Sequence, residues 1–264
     1  MTSTQAQGTA LVTGASSGIG AIYAERLAAR GFDLLLVARD EERLKAAATK
    51  LRANHGVQVE VLKADLTQKD DVLKLEQRLR SDSSISLLLN NAGVAADGLL
   101  ANADLDQLER LIQLNVTTVT RLASAAAASF AKAGRGTIIN IASVVALFPE
   151  QFNATYSASK AYVLSLTQSL NAELDGTGVK VQAVLPGATR TEIWERSGID
   201  ATQIPDDMVM DAGEMVGASL SGLDQGELVT IPSLPDAAEW DAFVAARLVM
   251  APNLSKSTAA SRYK

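Results

Sequence analysis

A tyrosine and a lysine stand four residues apart in Tyr156-Ser-Ala-Ser-Lys160. On a helix those two positions share one face, with Cβ atoms about 5–6 Å apart. A cation beside a phenol favours the phenolate. A group that ordinarily titrates near ~10 would thereby move toward use as a general acid or base. Solvated helices carry such pairs as well, so its meaning depends on what the rest of the chain brings to it.

The second chemical signal is Thr13-Gly-Ala-Ser-Ser-Gly-Ile-Gly20. Gly14, Gly18 and Gly20 follow a short apolar strand pattern, Thr9–Thr13, and precede an amphipathic helix pattern reaching Arg30. A glycine turn at that place lets the backbone approach a pyrophosphate, and the helix N-terminus offers free N–H groups to it. Ser16, Ser17 and Ile19 fill the turn and count with it as cofactor-binding residues. Gly14-Ala-Ser-Ser-Gly18 also spells the Gly-x-Ser-x-Gly elbow of hydrolases, with Ser16 as nucleophile. That chemistry needs a histidine base, and the sole histidine, His55, falls at an apparent helix end. The nucleotide reading is therefore the better one. Where the second strand ends, an acidic residue would select NAD by accepting from its ribose hydroxyl, and an arginine would accommodate the 2′-phosphate of NADP. The residues there are Val37-Ala38-Arg39, which favours NADP(H) and leaves NAD(H) as the alternative.

These groups need elements to hold them. Apolar strand patterns occur at about 9–13, 32–38, 57–62, 85–89, 137–142, 179–185 and 228–231. Helical patterns follow the first, then run from a cap at Asp40 to Asn54, from Lys69 to Arg80, from Leu105 to Lys132, and from Tyr156 to Leu174. The alternation implies an α/β fold, a mainly parallel sheet with helices on both faces. The expectation is one domain over 1–264, a substrate lid at about 191–211 and a polar tail at about 251–264. A net charge of −6 argues against nucleic acid or an anionic membrane as partner. The chain has no cysteine and one histidine, so neither a thiolate site nor a histidine metal site is expected. Its first eight residues lack a signal-peptide pattern and no apolar run is long enough to span a bilayer, which makes a cytoplasmic protein the expectation.

In order along the chain come Thr13-Gly14-x-x-x-Gly18-x-Gly20, Asn90-Asn91-Ala92-Gly93, Asn115, Ser143, Tyr156-x-x-x-Lys160 and Pro186-Gly187. This set resembles the short-chain dehydrogenase/reductase family over about residues 8–232. The resemblance implies a Rossmann-like, doubly wound sheet of seven strands with NAD(P)(H) across their carboxyl ends. It implies that Asn115 holds a water of the proton relay, that Ser143 hydrogen-bonds the substrate oxygen, and that Tyr156 is the acid/base. Lys160 would bind the nicotinamide ribose and lower the tyrosine pKa. Asp65 and Leu66 would meet the adenine; Asn91, Ala92 and Gly93 the adenosine ribose; Pro186, Gly187 and Thr191 the nicotinamide. The chain departs from the family in two places. The glycine loop carries Ser16 and Ser17 where NADP users sometimes have a basic residue, and no diglycine follows Leu228–Ile231.

Apolar residues near the expected chemistry, namely Val94, Val144, Val145, Phe148, Phe152, Ile193 and Trp194, suggest a hydrophobic carbonyl or alcohol as substrate. The family usually forms dimers or tetramers, and the small-residue run Ala123–Ala128 would suit close helix packing. A nucleotide-binding sensor or scaffold without catalysis is the competing class. It would not need Asn115, Ser143, Tyr156 and Lys160 together.

Overall fold

The computed structural model describes residues 7–192 and 204–264. Seven strands form one sheet: β1 (Thr9–Thr13), β2 (Asp33–Ala38), β3 (Val59–Lys63), β4 (Ile85–Asn90), β5 (Gly136–Ile141), β6 (Val179–Val184) and β7 (Val229–Thr230). Their order is β3-β2-β1-β4-β5-β6-β7, and every pairing is parallel. All six residues of β4, Ile-Ser-Leu-Leu-Leu-Asn, are buried, as a central strand covered on both faces requires.

The strand period of two divides the core. On β1 and β2, Ala10, Val12, Leu34 and Leu36 face one layer, and Leu11, Leu35 and Val37 face the other. The first layer is closed by α1 (Gly18–Ala29), α2 (Glu41–His55) and α7 (Ala212–Gln225), through Tyr23, Leu27, Leu44, Leu51, Met215 and Leu220. The second is closed by α3 (Lys69–Ser81), α5 (Val119–Ala133) and α6 (Ala154–Glu173), through Leu75, Leu79, Leu122, Phe130 and Leu170. Ala123 and Ala125–Ala127 are buried inside this layer, so the small-residue run serves packing within the chain.

The expected helix from Leu105 to Lys132 is interrupted. α4 (Leu105–Ile112) and α5 are joined by a π-helical segment, Gln113–Thr118, whose hydrogen bonds span one residue more than those of an α-helix. Two further helices carry no clear local pattern and were not anticipated. One is α7. The other is α8 (Ala237–Val249), in a separate unit, Ser233–Lys264, none of whose residues is buried. Among the described residues no helix is long and apolar enough to cross a membrane.

Candidate active site

The strand order reverses direction between β1 and β4, and at such a switch point the crevice at the carboxyl ends of the strands receives a ligand. The expected site residues lie at that end. The glycine loop leaves β1 and enters α1 at Gly18. Gly14 and Gly18 have φ of 68° and 53°, in the region glycine adopts at least cost. Gly20 has a different reason to be glycine, since a Cβ there would run into the Gly14 carbonyl oxygen and the Asn91 amide. Thr13 Oγ1 donates to the Leu89 carbonyl (3.0 Å) and accepts from Asn91 N (2.9 Å) and Ala92 N (3.0 Å). Asn91 Nδ2 donates to the Thr13 carbonyl at 2.9 Å. The turn after β1 and the turn after β4 are thus tied into one floor. Thr13 was read only as the start of a motif, yet it makes more of these bonds than any glycine beside it.

Ser143, two residues past β5, donates to the Pro186 carbonyl at 3.2 Å and accepts from Val145 N at 3.4 Å. Its hydroxyl lies near enough to the Tyr156 phenol to favour the ionised form. Tyr156 sits in the first turn of α6, with Lys160 one turn on and its Nζ 5.7 Å from the tyrosine ring centroid. Lys160 is buried and donates to the Ile141 carbonyl at 3.0 Å. Burial drives both groups toward neutrality. It pushes the Tyr156 phenol up to about 12, against the pull of Ser143, and it lowers Lys160 to about 8. For the chain alone, burial is the largest influence on the phenol, and Ser143 is the group that opposes it.

Asn115 lies within the π-helical segment and is 1% exposed. Its Oδ1 accepts from Val94 N (3.1 Å), and its Nδ2 donates to the Val94 carbonyl (2.9 Å) and to Ser159 Oγ (3.2 Å). Ser159 in turn donates to the Tyr156 carbonyl at 2.7 Å. The side chain of Asn115 is therefore committed to holding the strand-end loop against the tyrosine helix. A buried chain of side chains, Asn90 Nδ2 to Asn140 Oδ1 (2.9 Å) and Asn140 Nδ2 to Thr167 Oγ1 (3.0 Å), ties β4 and β5 to α6.

The structure brings the remaining expected residues to the same end. Arg39 follows β2, is exposed and forms no ion pair among the described residues. Asp65 Oδ1 accepts from Thr67 N (3.0 Å) and Thr67 Oγ1 (2.8 Å), an Asx turn that fixes the loop after β3, where Leu66 is buried. Thr191 packs on Gly18, whose added Cβ would meet it at 3.4 Å. Next to it Glu192 accepts from Arg43 Nη1 at 2.8 Å, a link between the segment after β6 and the start of α2. Gly187 has open space about it. Ile193, Trp194 and most of the expected lid lie outside the described residues. His55 bonds Glu25 at 2.6 Å at the far end of α2, which leaves Ser16 without a base. Asn153 was missed. It is the N-cap of α6, accepting from Tyr156 N at 3.0 Å, and an asparagine three residues ahead of a helical tyrosine is the signal that could have found it.

Three comparisons bear on this geometry. Residues 8–201 match the family model described as short chain dehydrogenase. An uncharacterized oxidoreductase of Staphylococcus saprophyticus is 37% identical over 185 residues, 70% of this chain and 79% of that protein. A short-chain dehydrogenase from Sphingobium yanoikuyae, solved in complex with NADPH, superposes with TM-score 0.94 at 53% identity, over 97% of this chain and 100% of that one. The bulky-bulky ketone specific alcohol dehydrogenase from Comamonas testosteroni gives TM-score 0.90 at 46% identity, over 98% and 99%.

Proposed function

This chain belongs to the short-chain dehydrogenase family of oxidoreductases, and on that premise we propose that it interconverts bulky apolar ketones and secondary alcohols with NADP(H). The observation that carries the reading is a buried Tyr156 phenol whose pKa the neighbouring Ser143 hydroxyl holds down, with a buried Lys160 one helical turn on.

The residues fit a dinucleotide. Space in front of Lys160 is kept by Gly93, where a Cβ would stand 3.7 Å from the ammonium and 3.2 Å from Asn115 Oδ1. An ammonium has three donors, and one bond of Lys160, to Ile141, is made among the described residues. Two donors remain for ribose hydroxyls. The glycine turn would take the pyrophosphate, and Arg39, which forms no ion pair among the described residues, would suit a 2′-phosphate where no carboxylate stands at Ala38. When bound, the nicotinamide supplies or accepts the hydride. The chain's residues handle the oxygen. Ser143 and Tyr156 donate to the substrate oxygen, Tyr156 passes its proton as charge builds there, and Lys160 offsets the phenolate left behind.

The substrate class rests on the rim. Leu99, Leu100, Phe148, Phe152 and Met208 are each half or more exposed, and they come from three connections at the site end of the sheet. The Comamonas relative's description as bulky-bulky ketone specific supports the same class. A panel of small keto acids, small ketones and aryl-alkyl ketones, run with NADPH and with NADH, tests the reading. The expected result is turnover of the large apolar ketones with NADPH, and a rise in KM for NADPH but not NADH in Arg39→Leu. Activity confined to charged keto acids would sink it.

A further inference from the structure

We propose that Asn153 is a positioning residue that sets substrate size, by fastening the loop after β4 to the backbone of Tyr156; this rests on the catalytic reading of Tyr156. Asn153 is 9% exposed and spends both ends of its amide. Its Oδ1 accepts from Tyr156 N at 3.0 Å. Its Nδ2 donates to the Gly98 carbonyl at 2.9 Å and toward the Asp97 carbonyl at 3.4 Å, more than fifty residues away in sequence. Four residues earlier the same loop is gripped at Val94 by Asn115, which reaches the Tyr156 carbonyl through Ser159. The loop therefore has two anchors. One leads to the N–H of Tyr156 and the other to its C=O.

Beyond the second anchor, Leu99 and Leu100 are 75% and 53% exposed, and Phe152, next to Asn153, is 50% exposed. These apolar side chains have no burial of their own to fix them. Their position relative to the phenol is set by the Asn153 amide. A serine at 153 keeps a good N-cap but is too short to reach Gly98 and carries no amide donor. An aspartate keeps the cap acceptor and replaces the donor by a charge that carbonyl oxygens repel.

Asn153→Ser and Asn153→Asp separate the clamp from the cap. In both, we expect KM for a bulky aryl-alkyl ketone to rise about tenfold and KM for a small ketone less than about twofold. The pH profile should keep its parent shape, since both variants retain an acceptor for the Tyr156 N–H. Amide hydrogen exchange in residues 95–100 should accelerate at least tenfold in both variants, with the rest of α6 as protected as in the parent. Equal losses on large and small ketones, or unchanged exchange at 95–100, would overturn the proposal. The exchange readout needs no turnover, so it decides the role of Asn153 even where the panel above defeats the assigned reaction.

Discussion

On the proposed reading, the buried Tyr156 phenol gives or takes the proton. Tyr156→Phe removes one oxygen atom and keeps the ring, so the expected result is at least a 10³-fold loss of kcat with the Kd for NADPH within about twofold, read by fluorescence titration. Surviving turnover would remove Tyr156 from the mechanism. Because burial raises the phenol to about 12, it stays protonated at neutral pH and serves as an acid without adjustment. Ketone reduction should then be nearly flat from pH 6 to 8. Alcohol oxidation needs the phenolate, so its rate should climb with pH from 6 to 8, where Lys160 keeps its charge. Initial rates in both directions across pH 6–10 check the pair of slopes. Both residues were readable in the sequence because four residues on one helix fix their relation locally. The effect of burial on the phenol was not, since it depends on what encloses it.

At the scale of elements, several of the expected site residues sit where a regular element starts or stops. Ser143 follows β5, Tyr156 opens α6, Arg39 follows β2, and Gly20 lies in the first turn of α1. Gly20→Ala places a methyl group against the Gly14 carbonyl and the Asn91 amide, so the floor joining β1 and β4 must open. The expected outcome is a rise of more than tenfold in the Kd for NADPH with the far-ultraviolet circular dichroism unchanged; tight binding in that variant would show that the floor does not shape the site. The strands were legible from their apolar runs, within a residue or two at each end. α7 was not. Its sequence, Ala-Gly-Glu-Met-Val-Gly-Ala-Ser-Leu-Ser-Gly-Leu-Asp-Gln, contains three glycines, and its helical state depends on packing over α1, where Ser219 bonds the buried Tyr23 hydroxyl. The π-helical segment was also invisible, because no residue in Gln113–Thr118 marks it; what marks it is the Asn115 bond to a loop twenty-one residues earlier.

For the whole molecule, the family supports assembly into dimers or tetramers, and sedimentation velocity at micromolar concentration is expected to show one of these; a monomer would contradict it. The acid-rich surface, net −6, suits a protein that stays dispersed. Lys160 ties the stability of the fold to pH. Its folded value of about 8 lies below the ordinary 10.5 of an unfolded lysine. Below pH 8 both states hold the proton, and the cost of burying the charge is carried in full. Between 8 and 10.5 the unfolded chain keeps a proton that the folded one has shed, so folding strengthens as pH rises, by about 3 kcal/mol at most from this group. Melting the chain without ligand at pH 7 and pH 9, beside Lys160→Met, should show this contribution as a rise in the parent that the variant lacks. At neutral pH the buried charge of one amine thus weighs against the fold. A ligand that brings hydroxyls to that amine would be felt first as heat resistance, before any reaction is measured.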